Sequence, residues 1–320
     1  MYWFSALRTD EPLFFMLFNW ISTCIGLSLF FHFPVNHFNE LAKILGLSGR
    51  GRTITTASKY LHKLYDYKIS FKPNLILRAY ENSYHRAYFL KAKSRDNLSV
   101  TFQTLSADTN ISRVLFLSGI YDFFVTSRHT NLDLRKHNVS ICKKTWLYTP
   151  HYTIPHGWKN TMREALMLFG SSTLEKGNLE RELEDFLPWD DIHWNIFYSM
   201  KDDVRTEFKT VAGKTGVTSS TVKRHFYQTV LPYCNTSHYF FPKGYEYYNQ
   251  SFIIVKSDFE KGLVDSLRKL PCTTYVYPLE EEIVLSIFHE GINDLMKAFQ
   301  KMEEAGYIRS HLLLVPLAHW

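Results

Sequence analysis

Cysteine is scarce in this 320-residue chain, and its spacing excludes more than its number does. Cys24, Cys142, Cys234 and Cys272 stand far apart, with no C-x-x-C and no histidine at ligand spacing. Neither a zinc site nor a disulfide framework is indicated, so the chain reads as one from a reducing, cytoplasmic interior, with no metal and no cofactor implied. Hydrolytic signatures are missing as well: there is no G-x-S-x-G, no H-E-x-x-H and no cluster of carboxylates at metal spacing. Low-complexity tracts are absent, and charge is evenly mixed, which excludes a disordered chain. The start, "MYWFSALRTDE", lacks the basic n-region of a signal peptide.

One charge-free run, "PLFFMLFNWISTCIGLSLFFHF" at 12–33, has the length of a bilayer span. Asn19, Ser22, Thr23 and Ser28 interrupt it, and Phe14, Leu17, Phe18, Ile21 and Ile25 fall on one helical stripe. A buried first helix is favoured over a membrane anchor. Apolar residues make up 45 % of the chain and aromatics 16 %, ample for packed cores in two or more domains. The net charge of +6 tilts the reading towards an anionic partner.

What is present centres on "AGKTGVTSSTVKRHF", residues 212–226. Its Gly-Lys-Thr is not a phosphate loop, because the position that loop needs as its first glycine is Phe208. The stretch reads instead as two helices meeting at a turn. Phe208 and Val211 are apolar at helical spacing, Ala212 is small where helices approach, and Gly216 can take the positive φ that ends a helix. Thr218 or Ser219 can cap a second helix, in which Val222, Phe226 and Val230 recur every four residues. Ser219, Ser220, Lys223, Arg224 and Gln228 then face outward as candidate DNA contacts.

The skeleton occurs twice. Phe38, Leu41, Ala42, Gly46 and Leu47 in "FNELAKILGLSGRGRTITTASKYLHKLY" match Phe208, Val211, Ala212, Gly216 and Val217 at one constant offset. Arg50, Arg52, Thr53, Thr56 and Lys59 are the candidate DNA contacts of this first copy, across a longer turn. Each copy is followed by strand- and helix-length runs in the order βαββαβ. In the first these are strands 86–93, 110–117, 120–127 and 139–148 with helices 95–107 and 129–137. In the second they are strands 251–257, 273–277, 282–288 and 308–315 with helices 258–270 and 291–306.

Together these features resemble the Lrp/AsnC (feast/famine) regulator family, on "DDVRTEFKTVAGKTGVTSSTVKRHF" in the second half and "LFLSGIYDFFVTS" in the first. The resemblance implies an α+β chain of two winged helix-turn-helix domains, each followed by a ferredoxin-like βαββαβ ligand-sensing domain. The expected partition is 1–80, 84–150, a helical linker 151–188, then 189–245 and 249–320. The resemblance also implies ligand contacts from Gly119, Tyr121 and Asp122, whereas the second sensor shows "PLEEEIVLS" in their place. Sheet pairing within one chain would make an intramolecular pseudo-dimer, the alternative being a homodimer.

The leading expectation is therefore a non-enzymatic, sequence-specific transcriptional regulator that binds double-stranded DNA and answers to a small, amino-acid-like effector. The rival expectation is enzymatic. Sirohaem decarboxylases are similar to this family, share the tandem architecture, bind a tetrapyrrole and do not bind DNA. For that reading, "SYHRAYF" offers His85 and Arg86, and "HYFFPKGYEYY" offers His238 and Lys243. A membrane-tethered interaction module, resting on residues 12–33, is the third class.

Overall fold

The computed structural model describes residues 62–128 and 132–319. The stretch 12–33, the first expected reading head with Arg50, Arg52, Thr53, Thr56 and Lys59, and positions 129–131 of an expected helix lie outside these residues. No helix among the described residues is long and apolar enough to cross a membrane.

Strand β1 (Asn74–Leu77) leads into a first unit of β2 (His85–Ala92), α1 (Leu98–Ser106), β3 (Arg113–Ser118), β4 (Phe123–Ser127) and β5 (Val139–Leu147). The connection carries β6 (His151–Tyr152), α2 (Met162–Gly170), α3 (Asp191–Met200), α4 (Phe208–Thr215), α5 (Ser219–His225) and β7 (Cys234–Ser237). A second unit follows, with β8 (Asn249–Lys256), α6 (Glu260–Leu267), β9 (Tyr275–Pro278), β10 (Ile283–His289), α7 (Ile292–Glu304) and β11 (Ser310–His319).

All strands but β1 and β7 join one antiparallel sheet in the order β5-β2-β4-β3-β11-β8-β10-β9-β6. Within each unit the spatial order is fourth, first, third, second, which is the ferredoxin-like arrangement. The units are joined through β11 on β3, with Val315 opposite Ser118. They meet again where Leu147 bridges to Leu279 and β6 pairs with β9. The sheet therefore closes on itself, and the two units pair within one chain.

Closure gives the sheet an inside. Alternate residues of β2, β3, β8 and β11 point inward, so Phe89, Leu115, Leu117, Phe252, Ile254 and Leu314 form one buried core with Phe124 and Val284. The opposite faces carry helices. Tyr88, Leu90, Phe123 and Val125 pack on Leu105 of α1. Ile253, Val255, Leu285 and Ile287 pack on α6 and α7 through Leu263, Leu267, Leu295, Phe299 and Met302. Strands covered on both sides read as unbroken apolar runs, and β10 is buried at every position.

The units differ in their second helix. The stretch after β4 was expected to be helical over 129–137, but its described part forms only a short 3-10 turn at Arg135–His137, closed by Asn138 at φ 55°. Leu132 and Leu134 stand two apart, so they cannot share one helical face. In α7, by contrast, Leu295, Ala298, Phe299 and Met302 recur at three and four residues and are buried together.

The helical layer holds α3, α4 and α5 around Ile196, Phe197, Met200, Val211, Val222, Phe226 and Val230. Gly216 ends α4 at φ 71°, and Thr218 caps α5 by accepting from the Thr221 N–H. The helix–turn–helix at 208–225 is thus present. It has no hairpin wing of its own among the described residues, because β7 pairs with β1, Asn74 opposite Ser237 and Leu77 opposite Cys234. That pairing ties the segments following the two expected reading heads to each other.

Candidate functional site

Towards one end of the closed sheet the inward-facing residues turn from apolar to polar. Two residues before Leu115 on β3 stands Arg113, and two before Phe252 on β8 stands Gln250, which donates to Ser286 Oγ at 2.5 Å. Between this end and the covering segments 68–74 and 239–245 lies a cavity of about 500 Å³, within the usual range for small-ligand sites. Arg113, Leu115, Gln250, Tyr275 and His319 line it from the sheet, and Lys68, Phe71, Lys72, Asn74, Asp202, Tyr239 and Tyr245 from the segments above.

The chain's turns place these groups. Gly244 has φ 85° and lies so close to Tyr67 that a Cβ would come within 2.8 Å of the Tyr67 carbonyl oxygen. Only glycine tolerates both conditions. The next residue, Tyr245, donates its N–H to Lys68 O at 3.0 Å, so the two covering segments are stitched together beside the cavity.

Three cations face the cavity, and they differ in state. Lys68 pairs with Glu246, and Lys72 with Asp203 at 2.6 Å, both at the solvent edge. Half-buried Arg113 has no carboxylate partner among the described residues. Its Nη1 donates to the Tyr277 hydroxyl at 2.7 Å, and its guanidinium lies over that ring at 5.6 Å from the centroid. Interaction with Tyr277, against desolvation, raises its pKa further, so it stays charged. A fixed, unneutralised guanidinium in a partly dry cavity is a receptor for an anion.

The walls are phenolic. The rings of Tyr239 and Tyr275 meet edge to face at 4.9 Å, and Phe71 packs on Tyr245 at 5.4 Å. Desolvation pushes the Tyr239 phenol up to about 12 and that of Tyr275 well above its usual value. At neutral pH these hydroxyls are protonated hydrogen-bond donors.

The residues singled out from sequence lie elsewhere. Gly119, Tyr121 and Asp122 sit at the β3–β4 turn, at the opposite end of β3 from Arg113. Gly119 abuts Leu314, the Tyr121 ring packs on Phe89 at 5.0 Å, and the Asp122 carboxylate accepts from Ala92 N at 2.8 Å. Ser220, Lys223, Arg224 and Gln228 are exposed on or just after α5, with Ser219 half-buried beside them.

His85 and Arg86 project to opposite faces of β2. His85 Nε2 accepts from Arg128 Nε at 3.3 Å, and desolvation, with the Arg128 charge adding, pushes its imidazole down to about 3. Arg86 lies over the Trp146 ring, with its Nε unpartnered. His238 bonds Ser70 Oγ at 2.7 Å and is pushed down to about 4, first by desolvation. Lys243 pairs with Glu290 at 2.8 Å. The segment quoted for His238 and Lys243 does reach the cavity, through Tyr239 and Tyr245 instead. Arg113 went unnoticed because one polar residue opening the strand "RVLFLS" carries no signal until its partner strands are known.

No protein-family model and no curated protein sequence matches the chain. Two solved structures share its fold. The siroheme decarboxylase NirDL in complex with an iron-uroporphyrin III analogue aligns with TM-score 0.52 at 10 % identity, over 88 % of this chain and 85 % of that one. A second structure of NirDL aligns with TM-score 0.50 at 11 % identity, over the same shares. The mixed α+β architecture with antiparallel sheet is thus that of NirDL.

This corrects the leading expectation. The architecture read as that of a DNA-binding regulator, and as no enzyme, is shared with solved structures of a siroheme decarboxylase. Lys223 and Arg224 remain exposed on the helix–turn–helix.

Proposed function

We propose that this chain is an enzyme that takes a carboxylate-bearing tetrapyrrole as substrate in the cavity between its sheet and the covering segments 68–74 and 239–245, and removes a carboxyl group from it. The observation that carries the reading is Arg113, a charged guanidinium held by Tyr277 with no carboxylate of the described residues to neutralise it. The surroundings fit such a substrate. Phe71, Tyr239, Tyr245 and Tyr275 supply aromatic surface for a flat macrocycle, and Lys68 and Lys72 supply further cations at the edge. That NirDL shares the fold and holds an iron-uroporphyrin analogue supports the same assignment.

The chemistry asks two things of the chain. A carboxylate must be held still and out of bulk water, which Arg113 does by charge-assisted hydrogen bonds. When CO₂ leaves, the electron pair of the broken C–C bond stays on the substrate carbon, which must take up one proton. The phenols of Tyr275 and Tyr239, kept protonated by desolvation, are placed to donate it and recover it from solvent.

Absorbance titration of the full chain with iron-uroporphyrin III tests the binding step. A saturable change in the tetrapyrrole spectrum is expected, weakened roughly 30-fold (about 2 kcal/mol) by Arg113→Met. A spectrum unchanged by protein at any concentration would sink the reading.

A further inference from the structure

The two units put different chemistry on the outer faces of equivalent strands. Ala87 pairs with Thr126 and Thr145, and Phe252 with Ser286 and Leu314, so Ala87 and Phe252 hold equivalent places. One residue on, Tyr88 opposite Lys144 stands where the second unit has Ile253 opposite Leu313. Ile253 and Leu313 pack into the apolar core that α6 and α7 complete. The first unit has a polar cluster there instead, made of Arg86 and Tyr88 from β2, Lys144 and Trp146 from β5, and Tyr84 just before β2.

Each cation of the cluster rests on an aromatic ring. The Arg86 guanidinium lies 5.4 Å from the centroid of Trp146, which itself stacks on Tyr84 at 4.5 Å, and Lys144 Nζ lies 5.7 Å from the centroid of Tyr88. Such seating holds a cation in place without neutralising it. Neither cation has a carboxylate partner among the described residues. Glu280 accepts from the Trp146 N–H at 3.3 Å, and Glu282 pairs with Lys143 at 2.7 Å, not with Lys144.

Two polar atoms of the cluster are buried with no hydrogen-bond partner: Arg86 Nε and the Tyr88 hydroxyl. Tyr88 is only 1 % exposed. Desolvation pushes its phenol up, and the Arg86 charge is near enough to offset part of that push. A buried donor without an acceptor is costly, and two such donors side by side call for an acceptor that both can share.

We infer that Arg86, Tyr88 and Lys144 form a binding site for a phosphate group on the outer face of the first unit. A guanidinium, a phenol and an ammonium from two neighbouring strands suit the three oxygens of a phosphate group better than the two of a carboxylate. Lys144 is exposed, so the site is reached from solvent. The sheet separates it from the cavity of Arg113, because Ala87 and Phe89 belong to the inner core and Tyr88 and Leu90 to the outer one. The inference is thus independent of the proposed function.

The test is a titration of the full chain carrying Arg113→Met with inorganic phosphate at constant ionic strength, so that the guanidinium of the cavity cannot answer. Tryptophan fluorescence and thermal melts are the readouts. The expected result is a saturable change in emission, absent with chloride and lost in Trp146→Phe, together with a melting temperature that rises with phosphate. Arg86→Met weakens phosphate uptake about tenfold and Lys144→Met about fivefold. Lys144 is exposed, so its variant keeps the test standing should the Arg86 variant not fold. Tyr88→Phe weakens uptake about threefold, yet without phosphate it melts higher than its parent, because it removes an unpartnered buried hydroxyl. A residue that served packing alone would not give that crossing. No saturable response to phosphate, or one left unchanged by both Lys144→Met and Tyr88→Phe, overturns the inference.

Discussion

The two βαββαβ units are built to one plan and finished differently. The second covers the outer face of its strands with α6 and α7, whose buried residues fall on continuous stripes, and β10 is buried along its whole length. The first has α1 and, in place of a second helix, the short turn at Arg135–His137 among the described residues. The polar positions diverge too: Ala87, Thr126 and Arg113 are paired in the first unit as Phe252, Ser286 and Tyr275 are in the second, so Arg113 stands where the second unit has Tyr275, and His85 where it has Gln250. A duplicated chain is thus free to let one unit carry packing and to combine unequal residues from both units in one cavity.

The strongest way to break the comparison is through the cores. Phe299→Ala in α7 removes a fully buried ring and should cost about 3–5 kcal/mol in urea unfolding. Leu134→Ala beside the first unit's turn should cost less, about 2 kcal/mol, because a short turn can settle into the space. Equal losses would deny that the units differ in packing.

Next in size is Gly244→Ala. The positive φ and the nearby Tyr67 carbonyl oxygen predict a loss of about 1–3 kcal/mol, together with weaker tetrapyrrole uptake as Tyr245 shifts. Unchanged stability would remove the argument for how the cavity's cover is fixed.

His85 sharpens the comparison through pH. Its folded-state pKa of about 3 lies below the ordinary value of 6.5, because desolvation and the Arg128 charge disfavour the imidazolium. The unfolded chain therefore binds the proton more readily. Stability due to this group is complete above about pH 6.5 and is lost progressively as pH falls towards 3. His85→Gln, which gives the first unit the residue of the second, should flatten that part of the stability profile. An identical profile would show that His85 does not titrate with folding.

The smallest effect belongs to the solvent edge. Lys72→Ala breaks an exposed pair with Asp203 and should change stability by under about 1 kcal/mol. It should also reduce the salt dependence of ligand uptake, measured from low to physiological ionic strength.

Much of this architecture was legible in the sequence. The order of strands and helices in both units followed from period-2 and period-3.6 patterns, and Gly216 and Thr218 announced the turn between α4 and α5 by their own chemistry. The second helix of the first unit was over-read because 129–137 lacks a stripe and was assigned by analogy with the second. The cavity was not legible. It forms where strands far apart in sequence present their polar ends together, and Arg113 gains meaning only once Tyr277 is beside it. Function was misjudged for a related reason: a helix–turn–helix with outward cations describes a shape, and the shape alone does not state what the chain binds.

The most direct test of the central claim is mass spectrometry of siroheme recovered after incubation with the full chain, with the Arg113→Met variant in parallel. The account predicts a product that has lost one or more carboxyl groups, formed far more slowly by the variant. Siroheme recovered intact, under conditions where absorbance shows it bound, would contradict it.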